Sequence, residues 1–193
     1  MAISEVSVCN SALIKIGADR ISSRTENVKS AICLNAIFDQ IRDCELRDHP
    51  WNFAILRTTL APTSTTPNSE YDYEYDLPSD CLRVLAVLLD VDDDGTEDYD
   101  YVIEAGKILI DESSIYVKYI KREDDPSEWD PSFAEALAWR LAREVAFNLT
   151  QSVSVVEMCE KGYRAAIAQA RASDGMEGVL KSLVADDWTN ERL

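Results

Sequence analysis

Near the N-terminus, apolar residues recur at intervals of three and four: Ile3, Val6, Cys9, Leu13 and Ile16 fall on one side of a 3.6-residue spiral. The spacing predicts a short amphipathic helix, with Ser4 as its cap and Gly17 as its stop. A second stripe runs from Val28 through Ile32, Ala36 or Ile37, Ile41 and Cys44 towards Leu46. Ser23 and Glu26 have the S-x-x-E spacing of a capping box ahead of that stripe, and Pro50 ends it.

From Phe53 the pattern changes. Tyr71, Tyr73 and Tyr75 alternate with acids, and Leu82 to Leu89 is a dense aliphatic run with two valines, so both read as strands. Ala61 to Glu70, rich in Pro, Thr and Ser, is the loop before the tyrosine strand. Val102-Ile103-Glu104 and Ile108-Leu109-Ile110 flank Ala105-Gly106-Lys107, where the glycine supplies the positive φ of a tight hairpin. Ile115 to Ile120 follows after a further polar turn, and the predicted arrangement is a meander.

Helix returns at Asp130-Pro131, an N-cap followed by proline at the first helical position. Phe133, Leu137, Leu141, Val145 and Leu149 lie one turn apart. A second capping box, Ser154 and Glu157, is expected to open a last helix carrying Val156, Cys159, Tyr163, Ile167 and Ala170. Two helices before the strands and two after them predict a mainly α fold with a β insert. Residues 1–52 and 130–173 would form a four-helix-type bundle, 53–121 an inserted antiparallel β-domain, 122–129 a linker and 174–193 an extended C-terminal arm. Trp51 and Phe53 are expected to plug the boundary between bundle and insert, with Trp129 and Trp139 packing on the return into the bundle.

Composition narrows the classes. A chain of 193 residues, 46% apolar, has enough material for one core with a small inserted subdomain, and no run approaches the ~20 apolar residues that span a bilayer. The start, Met-Ala-Ile-Ser-Glu, lacks a basic stretch followed by a long hydrophobic one, so a soluble protein without membrane anchor or export signal is expected. Cys9, Cys33, Cys44, Cys81 and Cys159 are odd in number and widely spaced, which suits small core residues in a reducing compartment better than disulfides or a zinc site. The formal charge of -17, from 36 acidic and 19 basic residues, repels phosphate backbones and disfavours tight nucleic-acid binding.

Candidate chemistry is sparse. Asp90-Val-Asp92-Asp93-Asp94-Gly95 opens like an EF-hand loop, but position twelve is Tyr101 where a bidentate Glu is required, and the flanks read as strands. Asp92, Asp93, Asp94, Glu97, Asp98 and Asp100 therefore read as an acidic loop facing solvent or a channel, and no metal or cofactor is expected. His49, the only histidine, sits at the expected end of a helix, where an imidazole interacts with the last carbonyls. Because no G-x-S-x-G, Walker A, G-x-G-x-x-G or H-E-x-x-H pattern occurs, no catalytic residue is assigned. In the arm, Val179, Leu180, Leu183, Val184 and Trp188 are too few for a core of their own, and the glycines before them loosen the connection. They are the expected contact with a neighbouring subunit or a partner.

One ordered series of residues adds a family. It consists of Asn10-x-Ala12-Leu13-x-x-Ile16-Gly17, then Ile21, Ala31, Phe38 and Arg42, then Leu46 with His49-Pro50-Trp51-Asn52-Phe53-Ala54, then Tyr75-x-Leu77-Pro78-x-Asp80-Cys81-Leu82-Arg83-Val84. In order and spacing it resembles the tail tubular protein A, or head-to-tail adaptor, family of short-tailed phages, over about residues 1–173. The resemblance implies a non-enzymatic subunit of a homo-oligomeric ring, dodecameric in the virion, under the portal and above the tail nozzle, with duplex DNA passing through the centre. It also gives the acidity a use, since an acidic wall would let DNA slide without sticking. Virion location, after synthesis in the host cytoplasm, follows from the same resemblance. The competing expectation is a small acidic binding module, with calcium as ligand of the Asp92 to Asp100 loop and no ring assembly.

Overall fold

The computed structural model describes residues 3–64, 67, 70–89 and 99–177. It is an α+β fold with four α-helices and two small antiparallel sheets. Helix α1 (Glu5–Lys15) begins at Ser4, whose side chain accepts from the Ser7 N–H while the Ser7 hydroxyl accepts from the Ser4 N–H. It ends at Gly17, whose φ of +72° is the left-handed stop expected there.

Helix α2 (Lys29–Asp48) starts later than its sequence signal. The Glu26 carboxylate is engaged locally, accepting the Ser22 N–H at 2.8 Å and the Ser22 hydroxyl at 3.0 Å, so Ser23 and Glu26 close a turn ahead of the helix. Val28, extended at φ -124° and ψ 151°, is the N-cap and contributes no side-chain bond. Helix α3 (Pro131–Thr150) opens as expected, with Asp130 accepting from the N–H groups of Ser132 and Phe133. It closes at Gln151, left-handed at φ 54°, and α4 (Val153–Glu177) follows at once. The Val156 N–H donates to the Ser152 carbonyl, which leaves Ser154 inside the first turn; it is not the cap of the predicted box. Helix α4 also continues past Ser173, where the bundle was expected to end.

Between the helix pairs lie β1 (Ile55–Leu60), β2 (Tyr73–Asp76), β3 (Cys81–Leu88), β4 (Val102–Glu104), β5 (Lys107–Ile110) and β6 (Ile115–Lys121). They do not form a meander. One sheet has the order β1-β6-β3 and the other β2-β5-β4, so the consecutive strands β5 and β6 belong to different sheets. Among the described residues β4 and β5 alone make a tight hairpin, with Glu104 opposite Lys107 and the two-residue turn Ala105-Gly106 at φ 50° and 78°.

Strand β6 organises both cores by its alternation. Ile115, Val117 and Tyr119 face one way and pack with Tyr75, Val87, Ile108 and Ile110 of the neighbouring strands. Ile120 faces the other way and joins the helical core with Leu82 and Leu85 of β3. Pairing of β3 with β6 slips twice, between Cys81 and Arg83 and between Val84 and Ala86. Such bulges increase twist, which bends the strand between its two environments. In the helical layer α3 touches α1, α2 and α4, and its alanines and leucines are buried along most of its length. Among the described residues no helix is long and apolar enough to cross a membrane.

Candidate functional site

The joint between helices and sheets is set by the run His49 to Ala54. Pro50 disfavours helical backbone at the residue before it, and His49 is accordingly extended at φ -136° and ψ 141°. The chain turns there and drives the Trp51 ring into the core, where it is 0% exposed. Its Nε1–H donates to the Glu45 carbonyl at 3.0 Å, one of the orphan acceptors at the end of α2. The rings of His49, Phe133 and Phe53 surround it at centroid distances of 4.6, 5.1 and 6.2 Å.

Asp174 reaches the same joint from α4. Its carboxylate accepts the Asn52 N–H at 2.8 Å and lies 3.0 Å from His49 Nε2, while its carbonyl accepts from Asn52 Nδ2 at 2.7 Å. The imidazole was expected to meet the last carbonyls of α2, and the partner shown for it is this carboxylate 125 residues away. Trp51 and Phe53 fill the boundary in the way the sequence suggested.

A second polar cluster ties α2, α3 and α4 together. The Glu45 side chain, in a residue only 2% exposed, accepts the Tyr163 hydroxyl at 2.8 and 3.0 Å, with Arg140 Nε at 3.8 Å. Burial pushes the Glu45 carboxyl above its ordinary range, against the opposing pull of the Tyr163 bond and the Arg140 charge. Burial, then Glu45, pushes the Tyr163 phenol up to about 12. The guanidinium groups of Arg140 and Arg143 lie 5.4 and 5.2 Å from the Tyr163 ring centre, within cation–π range. The cluster clamps the three helices together around the buried Glu45 carboxylate.

Among the described residues two grooves lie beside α3. Between α3 and α4 a groove of about 320 Å³ is lined by Ser132, Glu135 and Trp139 on one wall and Gly162, Ala165, Ala166 and Gln169 on the other. Gly162 makes the close approach: a Cβ there would lie 2.6 Å from the Trp139 ring. Glu135 is held on the rim by Lys15 at 2.8 Å, and the Lys15 ammonium also sits 4.8 Å from the centre of the Trp139 ring. Across Glu135 a smaller groove of about 170 Å³ runs between α1 and α3. Serines and one ion-paired carboxylate are the only hydroxyl and acidic groups of these walls, so the larger groove suits an apolar side chain.

The thiols divide by burial. Cys9 is pushed up to about 12 by burial, and Cys81 and Cys159 are raised for the same reason, which makes them packing groups. Cys44 departs from the expected core role and is exposed. Among the described residues no group of three or more His, Cys, Asp or Glu could hold a metal ion.

Of the acidic loop, Asp92, Asp93, Asp94, Glu97 and Asp98 lie outside the described residues. Asp100 is exposed and accepts the Tyr71 hydroxyl at 3.5 Å. Val179, Leu180, Leu183, Val184 and Trp188 likewise lie outside the described residues. Sequence reasoning missed Asp174, the Glu45–Tyr163 pair and the Gly162–Trp139 contact. The one visible signal was a glycine inside a helical pattern, which marks a close approach. Comparison with family models and with curated proteins finds no match for this chain.

Proposed function

We propose that the chain is a structural subunit of a head-to-tail adaptor, the ring that joins the portal of a short-tailed phage to its tail nozzle. The observation that carries the reading is where the family-like residues sit. Asn10 brackets the Ile21 backbone, donating to its carbonyl at 2.9 Å and accepting its N–H at 2.8 Å, and so fixes the turn after Gly17. His49 to Ala54 form the joint described above. Asp80 accepts the Arg122 N–H at 2.7 Å through its carbonyl and the Tyr119 hydroxyl at 3.3 Å through its side chain, which closes the β region onto the return to α3. A signature made of joint residues preserves a shape, whereas the signature of an enzyme contains reacting groups. This favours a building block and supplies no catalytic residue or cofactor.

In this reading the four helices act as one bundle built from both chain ends, with the sheets hanging from it. The acidity is concentrated in the segment between the helix pairs: residues 55–121 hold 15 acidic and 5 basic residues, a net of -10 out of -17. An assembly that turned this region towards its lumen would present DNA with a repelling wall, so the duplex would pass without sequence-specific binding. Twelve copies, a portal partner above, a nozzle partner below and a place in the virion connector after synthesis in the host cytoplasm complete the proposal. The arm residues Val179, Leu180, Leu183, Val184 and Trp188 are its contacts with neighbouring copy or portal. Sedimentation velocity of the full chain mixed with its portal protein tests the reading. A single fast boundary containing both proteins is expected, and two independent boundaries at micromolar concentration contradict it.

A further inference from the structure

The groove between α3 and α4 is lined on the α4 side as far as Gln169, and the helix runs on from there to Glu177. Gly162, Ala166, Gln169, Ser173 and Met176 follow one another at intervals of three and four, so they share a side of the helix. Met176, at the end of this line, is 79% exposed, more than any other large hydrophobic side chain among the described residues. Small and uncharged side chains thus lead along α4 from the Trp139 contact to Met176, just before residue 178. Beyond it the chain holds Val179, Leu180, Leu183, Val184 and Trp188 directly after Gly178, a residue suited to reversing a chain at a helix end.

Reach decides which surface these side chains meet. Gln169 and Gly162 lie eight and fifteen residues before Glu177, or about 12 and 22 Å back along the helix. The eleven residues from 178 to 188 span about 16 Å at helical rise and up to about 36 Å extended. Trp188 therefore reaches every part of the groove of its own subunit. Tethering raises its local concentration there to the order of ~1 mM, far above that of a second copy in dilute solution.

We propose that in the free subunit residues 178–193 fold back and seat their apolar side chains, Trp188 foremost, in the α3–α4 groove beside Trp139. The occupant is this chain's own arm, and assembly into a ring would lift it off. The docking concerns the isolated chain, so it stands or falls separately from the adaptor reading.

The test uses the full chain with photoreactive benzoylphenylalanine at position 188, as a mixture of ordinary and nitrogen-15-labelled copies. Cross-links are mapped by mass spectrometry. The expected products join position 188 to residues 132–139 or 162–169 of the same chain, and Ala166→Arg in the groove reduces their yield at least about tenfold. Products that pair labelled with unlabelled chains, that fall elsewhere, or that survive Ala166→Arg overturn the proposal. Leu183→Asp with Trp188→Asp, which leaves the four helices untouched, gives an independent reading: hydroxyl-radical oxidation of Trp139 is expected to rise about threefold. Unchanged oxidation overturns it as well.

Discussion

Replacing Trp51 by alanine removes the side chain on which the end of α2, the start of β1 and α3 converge. The ring is fully buried, touches His49, Phe53 and Phe133, and supplies the donor for the Glu45 carbonyl. Truncating a large aromatic in a core costs roughly 3 to 5 kcal/mol, and the edge-on contacts with His49 and Phe133 place this site towards the upper end. Loss of the Nε1 donor adds to that cost, since a buried carbonyl without a partner costs about 1 kcal/mol or more. Against a domain stability of about 5 to 15 kcal/mol, the variant should retain its fold but lose a large part of its margin. Urea denaturation followed by circular dichroism reads the change directly, with equal slopes showing that the denatured state is not what changed. Trp51→Phe should fall between the two, at about 1 to 2 kcal/mol. If Trp51→Ala unfolds within about 0.5 kcal/mol of the parent, the ring is not the plug of this joint and would be free to serve as a ligand platform.

Ala105, a non-glycine residue at φ 50° in a two-residue hairpin turn, carries strain that asparagine tolerates; Ala105→Asn should stabilise by about 1 kcal/mol, visible as a higher calorimetric midpoint, and a lower midpoint would contradict the turn geometry. Asp174→Ala should cost about 2 kcal/mol by orphaning the Asn52 N–H and His49. Combined with His49→Ala it should show a coupling of about 1 kcal/mol, whereas strictly additive losses would mean that the two side chains do not interact. Asp92→Asn, Asp93→Asn and Asp94→Asn together should leave the thermal midpoint unchanged or slightly raised, because mutual repulsion falls and calcium is not needed. Calcium-dependent heat in titration calorimetry, lost in this triple variant, would favour the binding-module reading.

Helices were legible where a periodic stripe coincided with a true cap, as at Ser4 and at Asp130-Pro131. The two S-x-x-E signals misled because spacing alone does not say which backbone N–H a carboxylate meets; Glu26 meets Ser22 instead of a helix start. Strands were legible from alternation, but alternation is silent about partners, so the assignment of β5 and β6 to different sheets could not be read. The face-switch of β6, with Ile120 opposite Val117 and Tyr119, is visible in its run of apolar residues only once the helices are known to cover the second face. Asp174 was hidden for another reason. A hydrogen-bonded latch across 125 residues leaves no local pattern, and Asp174 was expected in the arm, beyond the end of the last helix.

The central claim is a ring made of this chain, and negative-stain electron microscopy of full-length protein mixed with its portal addresses it most directly. The account predicts portal particles bearing an added ring at one end, with twelvefold rotational symmetry and an open central channel. Bare portals beside unassembled subunits, or a portal-bound mass without rotational symmetry, would contradict it.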